Sequence, residues 1–476
     1  MTTALRAATG FGPRFVAPLC VGSLLNPINS TMIATALVPI GQSYHVGAAA
    51  TVWLIAALYL ASAIAQPVMG EVADRVGPRR VYLGGLVVVA LAGLGGVLAP
   101  ALWVLVGVRV AIGIGTSAAY PAAMALVRAQ AERVGQPAPG GVLGALTLAS
   151  LTSAAIGPAL GGLLVGLAGW PAIFLVNVPL ALVGLGLTLW WLPADAPAAG
   201  RAQMTWRALD LPGIALFGAT LTALLLFLMG LTSPNGALLG GCLVLAVLLV
   251  AWERRAARPF LDVRMLADNR PLVRTFARYG LTFVVIYGVL YAFPQWLEQA
   301  RGLSPASAGL LVLPMSVVAG ICTVLGARGR RVRGPLLLGA TALLLASVAL
   351  LWVHAGVGVA ALIAVGALFG IPNGLTVVGN QAALYAQAPA AQIGMAAGLF
   401  RSAQYIGAIV SASLIGLFYG RRAGDAGLHS LAVIFVALSA LLLVGVVVDQ
   451  TGAPRRLDRV ARRLRSAIHA PARDTV

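Results

Sequence analysis

Fourteen hydrophobic segments long enough to cross a membrane run through this chain, and they limit its fold more than any other feature. Each is close to the roughly 20 apolar residues that cross ~30 Å of hydrocarbon. Lipid offers no water to backbone N–H and C=O groups, so such segments form helices. The sequence therefore predicts an all-α membrane protein with 14 transmembrane helices, at 15–38, 48–69, 81–100, 102–127, 141–167, 172–192, 209–230, 237–252, 272–296, 304–326, 334–353, 358–382, 394–418 and 429–448.

Composition and charge agree with this prediction. Of the 476 residues, 60% are hydrophobic and only 9% are charged, a balance that excludes a soluble domain. All 32 basic residues are Arg, and the net charge is +19. Twenty-five of them lie in alternate loops and the two tails, whereas the opposite loops hold only Arg301, Arg421 and Arg422. The positive-inside rule then predicts that both termini are cytoplasmic and that the charge meets lipid headgroups, not nucleic acid.

Two linking stretches, 193–208 and 253–271, divide the segments into groups of six, two and six. We therefore expect an N-terminal six-helix bundle at 1–192, a linker with two additional transmembrane helices at 193–271, a C-terminal six-helix bundle at 272–449 and a cytoplasmic basic amphipathic tail at 450–476. The loop at 326–335 is partly similar in sequence to the loop at 70–80, at the same place in the second group of six. Two similar halves with a site at their interface are typical of transporters.

The loop after the second segment is the strongest local motif. Its glycines suit a sharp bend or a close approach of helices, and its arginines suit the headgroups. The motif residues are Gly70, Asp74, Arg75, Gly77, Arg79 and Arg80. They resemble the signature loop of the major facilitator superfamily, with Pro78 inserted before the arginine pair. The resemblance implies a charge network around Asp74 that steadies the outward-facing state. The alternative is a basic turn that only orients the helices.

The fifth segment carries a stripe of small residues. One helix face is nearly free of side chains, so a neighbouring helix can approach closely, and a proline bends the helix. The residues are Gly144, Ser153, Gly157, Pro158, Gly161 and Gly162. Generic packing would explain the stripe, but the pattern also resembles the antiporter motif of drug-exporting facilitators, with Ser153 in place of one Gly. That resemblance implies efflux.

Arg109 lies well inside the fourth segment. A cation at that depth is costly, so it should face the bundle interior or a water-filled cavity, unless it extends to the membrane surface. The stretch 109–113 resembles the Arg-x-x-Gln-Gly motif of the superfamily, with Ile112 where Gln is usual. In the family this Arg is linked to proton coupling.

Three further stretches, 24–39, 169–179 and 295–314, resemble motifs of the fourteen-helix drug:proton antiporter branch of the superfamily. The resemblance implies a major-facilitator fold, with two six-helix bundles and an inserted two-helix pair. One departure is important, because Asn29 stands where the family usually has an Asp. Asn cannot carry a proton, so the protonatable group that the resemblance would supply is missing. Glu298 is the carboxylate nearest the membrane interior, and it is either partly buried or an exposed surface acid.

The deep charges predict the type of substrate. They are Arg109 and Arg401, both positive, although Arg401 could also extend to the cytoplasmic surface. We therefore expect neutral or anionic amphipathic substrates to be preferred over cations. Polar and aromatic residues at mid-span are candidates for the binding cavity, although each one alone could equally make an interhelical hydrogen bond. They are Asn26, Asn29, Thr31, Tyr59, Gln66, Tyr287, Tyr291, Asn373, Asn380, Gln381, Gln404 and Tyr405.

Together these features predict a secondary-active efflux transporter in the cell membrane. It would export a drug or secondary metabolite by alternating access, in exchange for protons, and we expect it to be a monomer. The alternative is an uncoupled facilitator or dedicated exporter of one endogenous metabolite, which the Asn29 departure favours. An enzyme is disfavoured because the four His lie in loops, at the end of a segment or in the tail, and no catalytic set, metal site or cofactor motif is visible.

Overall fold

A computed structural model describes residues 10–135, 140–195, 210–256, 259–328, 333–389 and 393–452. Fourteen of its helices are long and apolar enough to cross a membrane, as the sequence predicts. They are α1 (Pro13–Met32), α2 (Trp53–Val76), α3 (Pro78–Val97), α4 (Leu102–Val134), α5 (Gly140–Ala168), α6 (Asn177–Trp191), α7 (Leu211–Met229), α8 (Gly236–Glu253), α9 (Arg270–Gln299), α10 (Pro305–Arg328), α11 (Arg333–Leu350), α12 (Val359–Gln387), α13 (Ile393–Tyr419) and α14 (Asp425–Gly452).

Several helices extend beyond the predicted hydrophobic segments. Helix α4 continues to Val134 although its apolar run was placed at 102–127, and α9 and α14 also begin earlier and end later than predicted. Charged residues at these ends can remain helical because they lie at the headgroups, where water is available. The first segment is shorter than predicted. Helix α1 ends at Met32, and the chain continues through a 3₁₀ turn at Ile33–Thr35 into a short helix at Leu37–Ser43. Other short helices lie at Ala48–Thr51, Ala172–Leu175 and Val263–Asp268.

The same pattern of helix contacts occurs twice. In the first six helices, α1 packs on α5, α2 on α4, α3 on α4 and α6, and α6 on α1. In the last six, α9 packs on α13, α10 on α12, α11 on α12 and α14, and α14 on α9. Each of these five pairs therefore recurs eight helices later. Between the halves, α5 contacts α10 and α13 contacts α2. This exchange of partners is what a twofold axis between two similar halves produces.

The inserted pair lies beside one of these contacts. Helices α7 and α8 pack on each other, and α7 also packs on α2 and α13. Most side chains of α8 are exposed, which is consistent with a lipid-facing position. Both ends of the described chain lie on one side of the bundle, which we call the terminal side. The opposite side, which we call the distal side, holds the turns at 36–47, 98–101, 169–176, 230–235, 300–304, 351–358 and 420–424.

Candidate functional site

The two halves touch each other at the distal side. The backbone N–H of Ala49 donates to the carbonyl of Gly420 at 2.8 Å. A Cβ on Gly47 would lie only 2.7 Å from the Cα of Arg421, so the two distal turns meet backbone to backbone. The cleft between the halves is therefore closed at this end.

The glycines of α5 lie between two other helices. A Cβ on Gly157 would collide with the side chain of Thr31 on α1, and one on Gly161 would lie 2.5 Å from the carbonyl of Met32. Ser153 donates to the Leu24 carbonyl at 2.7 Å, so the serine that replaces a motif glycine also bonds to α1. Gly144 differs, because nothing lies within 4 Å of its Cβ position. The stripe therefore serves close packing from Ser153 onward, but not at Gly144.

The next glycine of the motif faces the other half. A Cβ on Gly162 would collide with the Pro305 carbonyl of α10, and one on Gly309 would collide with the Pro158 carbonyl of α5. One turn further along, the Cβ position of Gly166 is an ordinary 3.5 Å from Ala306. We call this α5–α10 contact the glycine seam. It joins the halves through backbone atoms.

The equivalent contact between α2 and α13 uses side chains. Tyr405 donates to Oε1 of Gln66 at 2.6 Å, and Ser402 donates to the Ala63 carbonyl at 3.4 Å. We call this contact the polar seam. The inserted helix α7 lies beside it, with the Cβ position of Gly218 at 3.3 Å from Ile64 of α2.

A cluster of tyrosines fills the centre of the interface. Tyr59 of α2 and Tyr291 of α9 are joined by a 2.7 Å hydrogen bond between their hydroxyls, and Tyr291 donates in turn to the Ser30 carbonyl. Gln404 of α13 donates to the Tyr287 hydroxyl at 2.8 Å. Rings of Tyr59, Tyr287 and Tyr405 pack with centroids 5.1–5.5 Å apart. The structure thus brings six of the predicted cavity residues into one network: Tyr59, Gln66, Tyr287, Tyr291, Gln404 and Tyr405.

Arg109 lies inside the first half, with only 2% of its surface exposed. Its Nε donates to the Leu54 carbonyl and its Nη1 to the Asn29 carbonyl, both at 2.9 Å. The remaining nitrogen, Nη2, has no hydrogen-bond partner. Backbone dipoles from α1 and α2 therefore hold the guanidinium in place, and its side chain does not point at lipid.

The Asn29 side chain is not in the cleft. It forms a reciprocal amide pair with Asn177 of α6, and the second bond, from Asn177 Nδ2 to Asn29 Oδ1, is 3.0 Å long. Both residues are buried. The prediction that Asn29 lines the cavity is therefore corrected, because its polar atoms are used to hold α1 against α6. Thr31 is likewise buried in the contact of α1 with Gly157.

Asn380 also lies away from the cleft, inside the second half. It accepts from Nε of Arg278 at 2.7 Å, and Arg278 forms an ion pair with Asp449 of α14 at 3.5 Å. A small cavity between α9, α11, α12 and α14 is lined by Arg278 and Asn380. Asn380 is therefore not part of the tyrosine network, and its contact with substrate stays a prediction. Of the other candidates, Asn26 bonds to Thr116 of α4 and is half-buried, Asn373 is half-buried and Gln381 is exposed.

Glu298 lies near the distal end of α9 and is 9% exposed. Its Oε1 is buried without a hydrogen-bond partner. The neighbouring charged side chains bind elsewhere, with Arg422 donating to the Gln299 carbonyl and Asp425 accepting from Trp296. Of the two interpretations left open by the sequence, the structure therefore gives the buried one.

The signature loop is shorter than its motif suggests. Gly70 lies within α2, not in the turn, and its Cβ position is an ordinary 3.7 Å from Pro121 of α4. Gly77 alone connects α2 to α3, with a φ of +118° that side-chain-bearing residues rarely adopt. Arg75 pairs with Glu71 one turn earlier. The side chain of Asp74 and the tail at 453–476 lie outside the described residues, so the charge network and the amphipathic tail stay predictions.

Asp195 is a site residue that the sequence analysis missed. Its two carboxylate oxygens accept from the backbone N–H groups of Arg79 and Arg80 at 3.0 and 3.1 Å, which caps the start of α3. The guanidinium of Arg79 donates to the Leu189 carbonyl near the end of α6 at 3.1 Å. These bonds tie the turn at Gly77 to the end of α6. A carboxylate just after a helix was the only available signal. Asn177, Tyr120 and Tyr279 were also not proposed.

Comparison with known proteins supports the same architecture. The family model described as Major Facilitator Superfamily matches residues 19–412. An uncharacterized MFS-type transporter of Bacillus subtilis, YwoD, is 31% identical over 91% of this chain and 96% of its own length. A crystal structure of the nucleoside transporter NupG superposes with a TM-score of 0.65 at 12% identity, over 91% of this chain and 99% of that one. At that identity the likeness shows the fold alone.

Two further relatives carry functional names. The multidrug resistance protein Stp of Mycobacterium tuberculosis is 29% identical over 82% of this chain and 72% of its own. A tetracenomycin C resistance and export protein of Streptomyces glaucescens is 29% identical over 86% of this chain and 76% of its own.

Proposed function

The chain belongs to the major facilitator superfamily, and from that premise we propose that it is a secondary-active efflux transporter that exports small amphipathic organic compounds in exchange for protons. Members of this family are transporters, not enzymes. The relatives named for multidrug resistance and export support efflux. The observation that carries the proposal is the position of the exporter-like glycines, because Gly157 and Gly161 pack α5 on α1 while Gly162 packs it on the opposite half.

The conformation supports alternating access. The halves are in contact at the distal turns, whereas Arg401 and Tyr120, on opposite halves, are exposed deeper in the bundle. Access to them must then come from the terminal side. The arginine distribution supports a cytoplasmic position for that side, in the cell membrane. In this conformation the protein, acting as a monomer, would receive its substrate from the cytoplasm.

Electrostatics support neutral or anionic substrates over cations. Neither Arg109 nor Arg401 forms an ion pair in the parts of the chain that the structure describes, where the three ion pairs involve Arg75, Arg274 and Arg278. A lipophilic cation entering the cleft would find positive charge and phenol hydroxyls, and the described residues of the tyrosine network include no carboxylate to replace its hydration.

Glu298 is our candidate for proton coupling. The amide pair with Asn177 occupies Asn29, which cannot titrate in any case. A buried carboxyl without a partner is more stable in its neutral form than as an anion. Opening of the distal side would bring Glu298 to water and allow it to release its proton there.

Reconstitution in vesicles tests the proposal. An acidic lumen is imposed, lumenal pH is followed with a trapped dye, and candidate amphipathic compounds are added. We expect substrate-dependent proton release from the lumen in the wild type. In Glu298→Gln, which keeps the size of the side chain, we expect substrate exchange without proton release. If Glu298→Gln still releases protons, this residue is not the coupling group.

An uncoupled exporter of one endogenous metabolite is the second candidate function, and the neutral Asn29–Asn177 pair favours it. The same vesicles decide between the two. Transport by the wild type that continues at the same rate after the pH gradient is collapsed would support the second candidate and contradict the first.

A further inference from the structure

Two carboxyl groups meet at the terminal side of the inserted pair. Asp210 immediately precedes α7, and Glu253 is the last residue of α8. A Cβ on Gly213, in the first turn of α7, would collide with Oδ2 of Asp210 and would lie 2.6 Å from Oε1 of Glu253. Both oxygens therefore lie beside the same point, inside the ~4–6 Å range over which two charges act strongly on each other. We call Asp210 and Glu253 the acidic pair.

Asp210 is surrounded by hydrogen-bond donors. Its Oδ1 accepts from the backbone N–H of Gly213 at 3.0 Å and from Nε1 of Trp252 at 2.7 Å. Its Oδ2 accepts from the backbone N–H of Phe260 at 3.1 Å. Contacts of this kind suit an ionised carboxylate, which can only accept. They also join three segments at one residue: the start of α7, the end of α8 and the linking stretch 253–271.

Glu253 is in the opposite situation. It is 2% exposed, and among the residues that the structure describes neither of its carboxyl oxygens has a hydrogen-bond partner. The backbone N–H groups of Phe260 and Leu261 lie near it, but neither forms a bond of normal geometry with it, and Phe260 donates to Asp210. A buried anion without donors is costly, and a second anion beside it adds repulsion. A neutral carboxyl group instead has an O–H that can donate to Asp210.

The other charged side chains of this region do not compensate Glu253. Those on the turn after α8 and on the short helix at Val263–Asp268 are exposed: Arg254, Arg255, Arg264 and Asp268. Asp262 caps the short helix by accepting from the backbone N–H of Met265. Within the described parts of the chain, none of the ion pairs includes Glu253.

We propose that the acidic pair binds one proton, carried by Glu253 as an O–H that donates to Asp210, and that this proton holds the linking stretch around Phe260 against the inserted pair. Loss of the proton to water on the terminal side would leave two buried anions side by side, and their repulsion would separate α8 from Asp210. A metal ion fits less well, because N–H groups already occupy both Asp210 oxygens and the described residues contain no cluster of three His, Cys, Asp or Glu that could hold one. The inference is independent of Glu298, which lies on the distal side.

Infrared spectroscopy tests for the proton. The purified full-length protein is measured at pH 6 in a maltoside detergent, which has no carbonyl group, and the wild type is compared with Glu253→Gln. We expect the wild type to show the C=O band of a protonated carboxylic acid that the variant lacks. Glu132→Gln, which removes an exposed carboxylate at the end of α4, is the control and should lose only carboxylate bands. Loss of carboxylate bands in Glu253→Gln would overturn the proposal.

The pH dependence of stability is an independent test. Unfolding exposes Glu253 to water, where a glutamate carboxyl is ionised at neutral pH. The folded wild type then binds one more proton than the unfolded chain, so its stability falls as pH rises. Relative to Glu253→Gln, in which the amide still offers a donor to Asp210, the unfolding temperature of the wild type should fall by about 2 °C or more between pH 5 and pH 8.

Two variants assign this effect. Glu132→Gln should follow the wild type, whereas Asp210→Asn, which removes the charge beside Glu253, should depend on pH less steeply than the wild type. Parallel curves for the wild type and Glu253→Gln would overturn the proposal.

Proteolysis tests whether the proton holds the linking stretch. Trypsin cleaves after the exposed Arg254, Arg255 and Arg264, and mass spectrometry gives the rate at each site. The rate for the wild type divided by that for Glu253→Gln corrects for the pH dependence of the protease. We expect this ratio to rise about threefold or more from pH 6.5 to pH 8.5, as local opening becomes easier. A constant ratio would contradict the holding role. None of these measurements involves efflux, so each outcome leaves the proposed function to its own test.

Discussion

The glycine seam and the polar seam occupy equivalent positions on the two sides of the cleft, since α5 corresponds to α13 and α10 to α2. At the glycine seam, carbonyls of Pro158 and Pro305 fill the space where Cβ atoms would be. At the polar seam, hydroxyls of Ser402 and Tyr405 bond to α2, and the inserted pair packs alongside. The same symmetry position is therefore built from backbone packing on one side and from hydrogen bonds on the other.

This difference indicates how the halves can move. A contact between smooth backbones loses its fit when a single methyl group is added. Between the described residues of α5 and α10, however, no hydrogen bond must break during sliding. A contact made by hydroxyls and an amide must exchange partners when the helices tilt. The Tyr405–Gln66 bond is the shorter of the two bonds described at this seam. We therefore expect the glycine seam to allow the helices to slide but not to accept larger side chains. We expect the polar seam to accept larger side chains but to resist sliding.

The largest expected effect is at the glycine seam. Gly162→Ala and Gly309→Ala would each place a methyl group on a backbone carbonyl of the other half, at a cost of about 1–3 kcal/mol. Because this cost falls on the distally closed conformation, efflux should drop about 10-fold. Gly166→Ala, one turn away with ordinary contact distances, is the matched control. Thermal unfolding in detergent and initial efflux rates measure both effects, and equal damage by the control would end the comparison.

A smaller effect is expected at the polar seam. Tyr405→Phe removes the hydroxyl that donates to Gln66 and should destabilise the protein by about 0.5–1.5 kcal/mol. If the bond restrains motion, the variant should unfold at a lower temperature and yet keep or raise its efflux rate. Ser413→Ala, which removes a hydroxyl bonded only within its own helix, is the control on α13. A loss of efflux as large as that in Gly162→Ala would contradict the assignment.

The smallest effect concerns the inserted pair. Gly218→Leu would push α7 away from Ile64 of α2, and because α7 lies at the periphery we expect about 0.5 kcal/mol or less. Its effect should be non-additive with Tyr405→Phe, which alters the neighbouring seam, and additive with Gly162→Ala, which alters the other seam. A double-mutant cycle of unfolding temperatures gives the coupling. Additivity with both would show that the pair does not support the polar seam.

Most of the fold could be predicted from the sequence because lipid makes hydrophobic runs unambiguous. All fourteen helices follow from that rule. The ends could not be placed, because charged residues continue a helix into the headgroups, as at the end of α4, where hydropathy gives no signal. The prediction that Gly70 lies in the loop was wrong for a related reason, since a sequence motif does not show where the helix ends.

The site could be predicted only in part. Mid-span tyrosines were proposed one by one, and six predicted residues meet in one network. Their partners depend on the packing of helices that lie far apart in the chain, with Tyr59 and Tyr291 more than 200 residues apart. Asn29 was assigned to the cleft because its position in the motif is known, whereas its side chain turns to Asn177.

The one-residue connection at Gly77 leaves the end of α2 and the start of α3 no freedom to move apart. The connection is held further by Asp195, whose carboxylate accepts from the backbone N–H groups of Arg79 and Arg80, the first two N–H groups after the turn. When α2 tilts at the polar seam, α3 and the end of α6 must therefore move with it as one rigid body. Insertion of a few flexible residues at Gly77 would let α2 move alone. Its motion would then no longer be transmitted to α6, at the far edge of the first half.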